Sequence, residues 1–311
     1  MSAPYYGQSS ATSSATRQRV IGNQPAPSPT PVAPNPAQAV PSASTAVIIT
    51  PLPVFNVVAA AAQNNRLKFN LNWTFGGKQQ RGWYLYTALL NRELGIEREA
   101  NTADFALALA RWQQSNNLVP TGVLDADTWY QMIALWQARR IPETARIVPP
   151  ASQLLTAPII DFYDPTRAIE LLKVERQTYA AYKRMVAAAA QDSSLKLVAT
   201  SNGELSISEK YLKIISAFRS REYQEQLRRQ SPNAGRAGLA VNSPHFTGRA
   251  LDVYVGGDPV DTGDFNRAIQ INTPVYKWLV KNAARFGFYP YYYEPWHWEY
   301  VPTNLPPTVN Q

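Results

Sequence analysis

The chain has no cysteine in 311 residues, so no disulfide and no thiolate-held metal supports any part of it. Histidine is nearly absent: only His245 and His297 occur. No acidic residue and no lysine precedes Arg66. No long Lys/Arg run exists either. The densest basic cluster, Arg219, Arg221, Arg228 and Arg229, is broken by acids and polar residues. The net charge of +8 therefore does not read as a nucleic-acid patch; an anionic cell wall is another partner that such a balance suggests. Met1 to Thr16 lacks the apolar stretch of an ordinary secretory signal, so an export signal is not evident. The uncharged run 46–62 is slightly short for a membrane span, and Pro51, Pro53 and Asn56 interrupt it. It reads as a linker ending in a short apolar docking segment. The small residues Ala59 to Ala62 leave an unusual export signal as the alternative.

What is present divides the chain into three parts. Residues 1–65 read as a disordered Pro/Ala/Ser-rich tail and linker, with seven prolines between Pro25 and Pro41. Residues 66–147 read as a small all-α domain of three helices. The first covers Tyr84 to Leu94; the second is capped by Asn101 or Thr102 and runs through Phe105, Leu109 and Trp112. The third begins near Asp125 to Thr128 and includes Trp129, Met132 and Trp136. Residues 157–302 read as an α+β domain. A long helix is expected over 165–190, starting near Asp164, with strands over 195–200 and 212–218 and a helix over 219–229. A strand over 249–255 carries Asp252, and a helix over 274–286 precedes strands at 288–293 and 296–301. The acidic residues Asp258, Asp261 and Asp264 fit no calcium loop and read as solvated.

Both histidines lie in dense motifs. His245 belongs to Ser243–Asp252, Ser-Pro-His-Phe-Thr-Gly-Arg-Ala-Leu-Asp; His297 belongs to Glu294–Tyr300, Glu-Pro-Trp-His-Trp-Glu-Tyr. Two imidazoles and the carboxylate of Asp252 make a three-ligand set that leaves a fourth position for water, as a catalytic zinc site requires. Gly248 permits a tight turn between His245 and Asp252. Glu294, three residues before His297, is the preferred general base toward water at such a site. Glu299 is its rival. It would share a strand face with His297, which also permits a role in holding the imidazole.

The pattern S-x-H-x-x-G-x-A-x-D, met by Ser243, His245, Gly248, Ala250 and Asp252, resembles the zinc D-alanyl-D-alanine carboxypeptidase family, of the VanY and VanX kind. So does E-x-W-H, met by Glu294, Trp296 and His297. The stretch "SAFRSREYQ" places Arg219 and Gln224 in a third matching segment. The resemblance implies a peptidase fold of the hedgehog/DD-peptidase type, with one zinc per chain on His245, Asp252 and His297. It further implies Glu294 as base, Arg219 orienting substrate or stabilising the transition state, and Gln224, Ser243 and Trp296 as substrate contacts. Taken alone, Arg219 would read as a helix-surface partner of Glu222 or Glu225, and Trp296 with Tyr291 to Tyr293 and Trp298 as core packing. In the helical part, "LNRELGI" and "FALALARWQQSNNLVPTGVLDADTWYQM" resemble peptidoglycan-binding domains, although Leu109, Trp112 and Trp129 also suit a plain helical core.

The expectation is therefore a cell-envelope enzyme that binds peptidoglycan and releases the terminal D-alanine of its stem peptide. A stem-peptide endopeptidase is one alternative. A non-catalytic wall-binding protein with a structural zinc is another. The sequence does not fix the oligomeric state.

Overall fold

The computed structural model describes residues 52–230 and 239–302. The expected tail thus lies outside the described residues up to position 51, but its last part is not a linker. The Asn56 side chain accepts the Ala59 amide and starts helix α1, Val57–Asn70. The alanine run is the first half of this helix. Ala60 and Ala61 pack with Ala106 from the second of the three expected helices. A hairpin follows, β1 (Asn72–Phe75) with β2 (Lys78–Arg81), turned by Gly76 and Gly77, both at positive φ. The first segment is therefore not all-α.

The three expected helices are present as α2 (Thr87–Leu94), α3 (Ala103–Ser115) and α4 (Ala126–Ala138). Thr102 caps α3 and Asp125 caps α4 through their side chains. Gln113, almost fully buried, ties the turn between these helices. It accepts the Gly122 amide at 2.8 Å and donates to Val123 O at 3.0 Å and Thr128 Oγ1 at 2.9 Å. Asn64 of α1 grips the same turn, donating to Gly122 O and accepting from Leu124 N, each at 2.8 Å. Leu109 and Trp129 are wholly buried, and Trp112 packs against the same core.

In the second segment, β3 (Leu154–Thr156) pairs with β4 (Lys173–Glu175), and α5 spans Arg176–Ala190. The helix expected over 165–190 thus begins only at Arg176 and has 15 residues. Asp164 does not cap it but closes a local turn on Thr166. Glu175 is the true cap, accepting the Thr178 amide at 2.8 Å. The strand expected over 195–200 is also absent. A 3-10 turn at Ser193–Leu195 and left-handed Lys196 occupy it, leaving one isolated bridge, Ala199 to Leu205.

The remaining elements are β5 (Ile214–Ser216), α6 (Arg221–Gln230), β6 (Ala250–Val253), α7 (Asp264–Asn272), α8 (Pro274–Asn282), β7 (Phe288–Pro290) and β8 (His297–Tyr300). Helix α7 begins at Asp264, inside the stretch read as an acidic loop. The strands form one antiparallel sheet in the order β5-β6-β8-β7.

One hydrophobic core runs through both segments, from Trp73, Trp83 and Trp129 to Tyr276, Trp296 and Trp298. The hairpin makes the junction. Phe75 lies 4.7 Å, ring centre to ring centre, from Tyr293 and 5.3 Å from Tyr292. Buried Arg267 of α7 donates to Tyr86 Oη at 3.0 Å and stacks over Tyr293 at 4.3 Å. The helical segment therefore packs on Tyr291–Tyr293, the turn that leads into Glu294. Among the described residues no helix is long and apolar enough to cross a membrane.

Candidate metal centre

Sheet register assembles the centre. Asp252 of β6 pairs directly with His297 of β8 on one side and with Ser216 of β5 on the other. Paired residues on one sheet face stand about 5 Å apart, so strand pairing alone brings two candidate ligands together across 45 residues of chain. His245 arrives from outside the sheet. Ser243 caps the 3-10 turn Pro244–Thr247 by accepting the His245 amide, and left-handed Gly248 ends it. A side chain at Gly248 would meet Glu175 N and Leu154 Cδ2 at 3.0 Å, so the turn sits hard against β3 and β4.

The donor atoms converge. His297 Nδ1 is 2.9 Å from Asp252 Oδ1, and His245 Nε2 is 3.3 Å from Asp252 Oδ2. Ligand atoms around one tetrahedral zinc lie about 3.3 Å apart, so these separations suit a shared ion. The hydrogen bonds also set the tautomers. His245 Nδ1 faces Ala217 O at 2.7 Å, and a carbonyl only accepts. Nδ1 therefore carries hydrogen and Nε2 keeps a lone pair toward Asp252. His297 Nε2 faces Glu299 Oε1 at 3.0 Å and donates there, so Nδ1 holds the second proton toward Asp252 without a metal and would offer its lone pair to a bound one. His245, Asp252 and His297 are all buried, and together they form a group able to hold a metal ion.

Electrostatics follow from burial and these contacts. Burial, reinforced by the Arg219 charge, pushes His245 down to about 4. Burial opposes charge on His297 as well, but its hydrogen bonds to Asp252 and Glu299 outweigh that and raise it to about 9. Burial works against the Asp252 carboxylate, yet His245 and Arg219 hold it well below the usual range. Glu294 has its carboxyl 3.9 Å from His297 Nδ1. Burial, only partly offset by His297, raises it to about 8. A bound cation would lower both Glu294 and His297.

The other expected site residues are placed as follows. Arg219 is at the centre, not on the helix surface. It donates to Asp252 Oδ2 at 2.5 Å, to Ser216 Oγ at 2.9 Å and to Gln224 Oε1 at 3.4 Å. Gln224 is buried and also donates to Ala240 O at 3.0 Å, so it braces Arg219 and the loop before Ser243. Trp296 is 3% exposed and packs in the core. Its neighbours Tyr291 to Tyr293 and Trp298 pack there too. Glu299 is fully buried and holds the imidazole of His297 at Nε2, the ring nitrogen that does not face Asp252.

Two basic residues escaped the sequence reading. Arg167 is half-buried, anchored through Nε to Leu171 O at 3.2 Å, and close enough to feel the charges of Arg219 and Asp252. Arg140 follows α4 and makes a buried ion pair with Glu299. No local pattern marks either one.

Residues 171–303 match the family model described as D-alanyl-D-alanine carboxypeptidase, and residues 99–132 match that of a putative peptidoglycan binding domain. The first match contains every residue of the His245, Asp252, His297 and Glu294 constellation; the second covers α3 and the start of α4. No curated protein matches the chain.

Proposed function

We propose that the chain is a zinc-dependent peptidoglycan peptidase of the cell envelope. It binds one zinc per chain and acts as a D,D-carboxypeptidase that releases the terminal D-alanine of the stem peptide. Its 157–302 segment would be an α+β fold of the hedgehog/DD-peptidase type, with the 66–147 segment holding it on the wall. The observation that supports this most is the pairing of Asp252 with His297 across β6 and β8, closed by His245 and faced by Glu294.

When bound, zinc would polarise the scissile carbonyl and make the attacking water more acidic. Glu294 takes the proton of that water on its carboxylate and returns it to the departing amine. Its burial suits this role, because a carboxylate that accepts and gives back a proton near neutral pH needs a raised pKa. Arg219, fixed by Ser216, Gln224 and Asp252, stabilises the negative charge that develops on the carbonyl oxygen. Arg167, with both Nη groups beyond its Leu171 anchor, receives the terminal carboxylate of the substrate.

Mass spectrometry of a pentapeptide muropeptide incubated with protein, with and without a chelator, tests the reading. Chelator-sensitive loss of one alanine is expected. Cleavage deeper in the stem would make the enzyme an endopeptidase, and no cleavage by zinc-loaded protein would leave a wall-binding protein. Glu294→Gln should lower turnover by about 10²-fold or more while zinc stays bound; near-normal activity would remove Glu294 from the role of base.

A further inference from the structure

We propose that Arg140 is a positioning residue for His297, so that the metal centre is completed by the helical segment that precedes the peptidase segment. The inference rests on the reading that His245, Asp252 and His297 hold a metal.

Arg140 lies two residues past the end of α4. Its Nε and Nη2 both donate to Glu299 Oε1, the former at 2.9 Å, and its Nη1 donates to Gln137 Oε1 at 2.5 Å. The next residue contributes as well: the Ile141 amide donates to Glu299 Oε2 at 2.8 Å. Both carboxylate oxygens of Glu299 are thus gripped by two consecutive residues 158 and 159 positions away. The Arg140 guanidinium also stacks on Tyr291, 3.9 Å from the ring centre, and Tyr291 abuts the His297 ring. The side chain of Arg140 is 9% exposed and that of Glu299 is 0% exposed, so solvent does not substitute for either partner.

The chemical consequence is directional. Arginine and a backbone N–H only donate, so Glu299 is held as an acceptor. Its Oε1 then receives the His297 Nε2 hydrogen, and Nδ1 is left as the ligand atom facing Asp252. Without Arg140, Glu299 keeps one backbone donor and loses the cation that fixes its rotamer inside the core. The imidazole then loses the contact that selects both its tautomer and its ring angle. Neighbouring Arg139 offers a matched control. It ends the same helix and makes its own ion pair, to Glu93 at 2.6 Å, but no bond to Glu299.

The test uses the full chain as wild type, Arg140→Gln, Arg140→Lys and Arg139→Gln, with far-UV circular dichroism to verify folding. Zinc affinity is read by competition with a chromogenic chelator. Arg140→Gln should weaken zinc binding on the order of 10- to 100-fold, the usual effect of losing a partner behind a ligand histidine. Arg140→Lys keeps the charge but not the two-pronged contact and should fall between; it also serves if the Gln variant does not fold. Arg139→Gln should bind zinc like wild type. A second readout is independent of activity: because the chain has two histidines, long-range ¹⁵N NMR resolves both rings. The His297 ring signals should move in Arg140→Gln, with those of His245 in place. Unchanged affinity and unchanged His297 signals in both Arg140 variants would overturn the proposal alone. So would equal losses in Arg139→Gln and Arg140→Gln, which would put the effect in the helix end. A wild-type chain that takes up no zinc would instead overturn the metal-centre reading, and this proposal with it.

Discussion

Metal-free protein should become less stable as pH rises from 6.5 to 9, and zinc should remove that dependence. His297 goes from an ordinary 6.5 to about 9 in the fold. A raised pKa means the folded state binds a proton that the unfolded chain has lost, so the stabilisation is complete below 6.5 and vanishes as pH passes 9. A displacement of that size is worth on the order of 3 kcal/mol. Glu294, at about 8 against an ordinary 4.5, acts in the same direction up to pH 8. His245, at about 4, and Glu299, at about 2, do not change charge in the folded state across this window. With roughly 2–4 °C of melting temperature per kcal/mol, His297 alone should account for a fall of about 10 °C, and Glu294 adds to it. On the proposed reading zinc would take the Nδ1 position of His297 that the proton holds, so the loaded protein should show a flat or rising profile. The assay is a pair of thermal melting series, one in chelator and one in excess zinc. A metal-free melting temperature that stays level or rises between pH 6.5 and 9 would refute the assigned contacts of His297.

Gly122→Ala should destabilise the fold by about 2–4 kcal/mol, combining left-handed strain with overpacking. At this glycine φ is +69°, and a Cβ would come within 2.6 Å of the Phe55 ring and 2.8 Å of Ala106 O; urea unfolding within 0.5 kcal/mol of wild type, a change of roughly surface-mutation size, would contradict the tight approach. Arg167→Gln should raise KM about tenfold with little change in kcat, because a carboxylate anchor contributes equally in ground and transition states. A fall in kcat at constant KM would instead place Arg167 at the reacting carbonyl.

The candidate ligands were legible because local rules carry them. With only two histidines, each inside a dense motif, there was little choice of imidazole, and strand alternation put Asp252 on a face that a second strand had only to meet. The cap at Thr102 and the helix starting at Asp125 were readable for the same reason: a side-chain oxygen and the amides it accepts lie within three residues. Misreadings arose where a distant partner overrode a local pattern. Leu171 and Leu172 continue the helical spacing of α5, but β4 is claimed by β3, and the helix waits for Glu175. The alanines 59–62 look like linker until Ala106 is there to pack on. Arg219 was different: read alone it suited a helix-surface ion pair with Glu222 or Glu225, but its motif pointed to the site, and there its partner is Asp252. Glu299 shows the same limit most sharply. Strand period predicted that it shares a face with His297, and that much is local. Whether it acts as base or as brace depends on what stands behind it, and what stands behind it is Arg140 and Ile141, on the far side of more than 150 residues. Burial beneath those two donors consumes both its oxygens, which leaves Glu294, 3.9 Å from His297 Nδ1 and in no ion pair with an arginine, as the better candidate for the base.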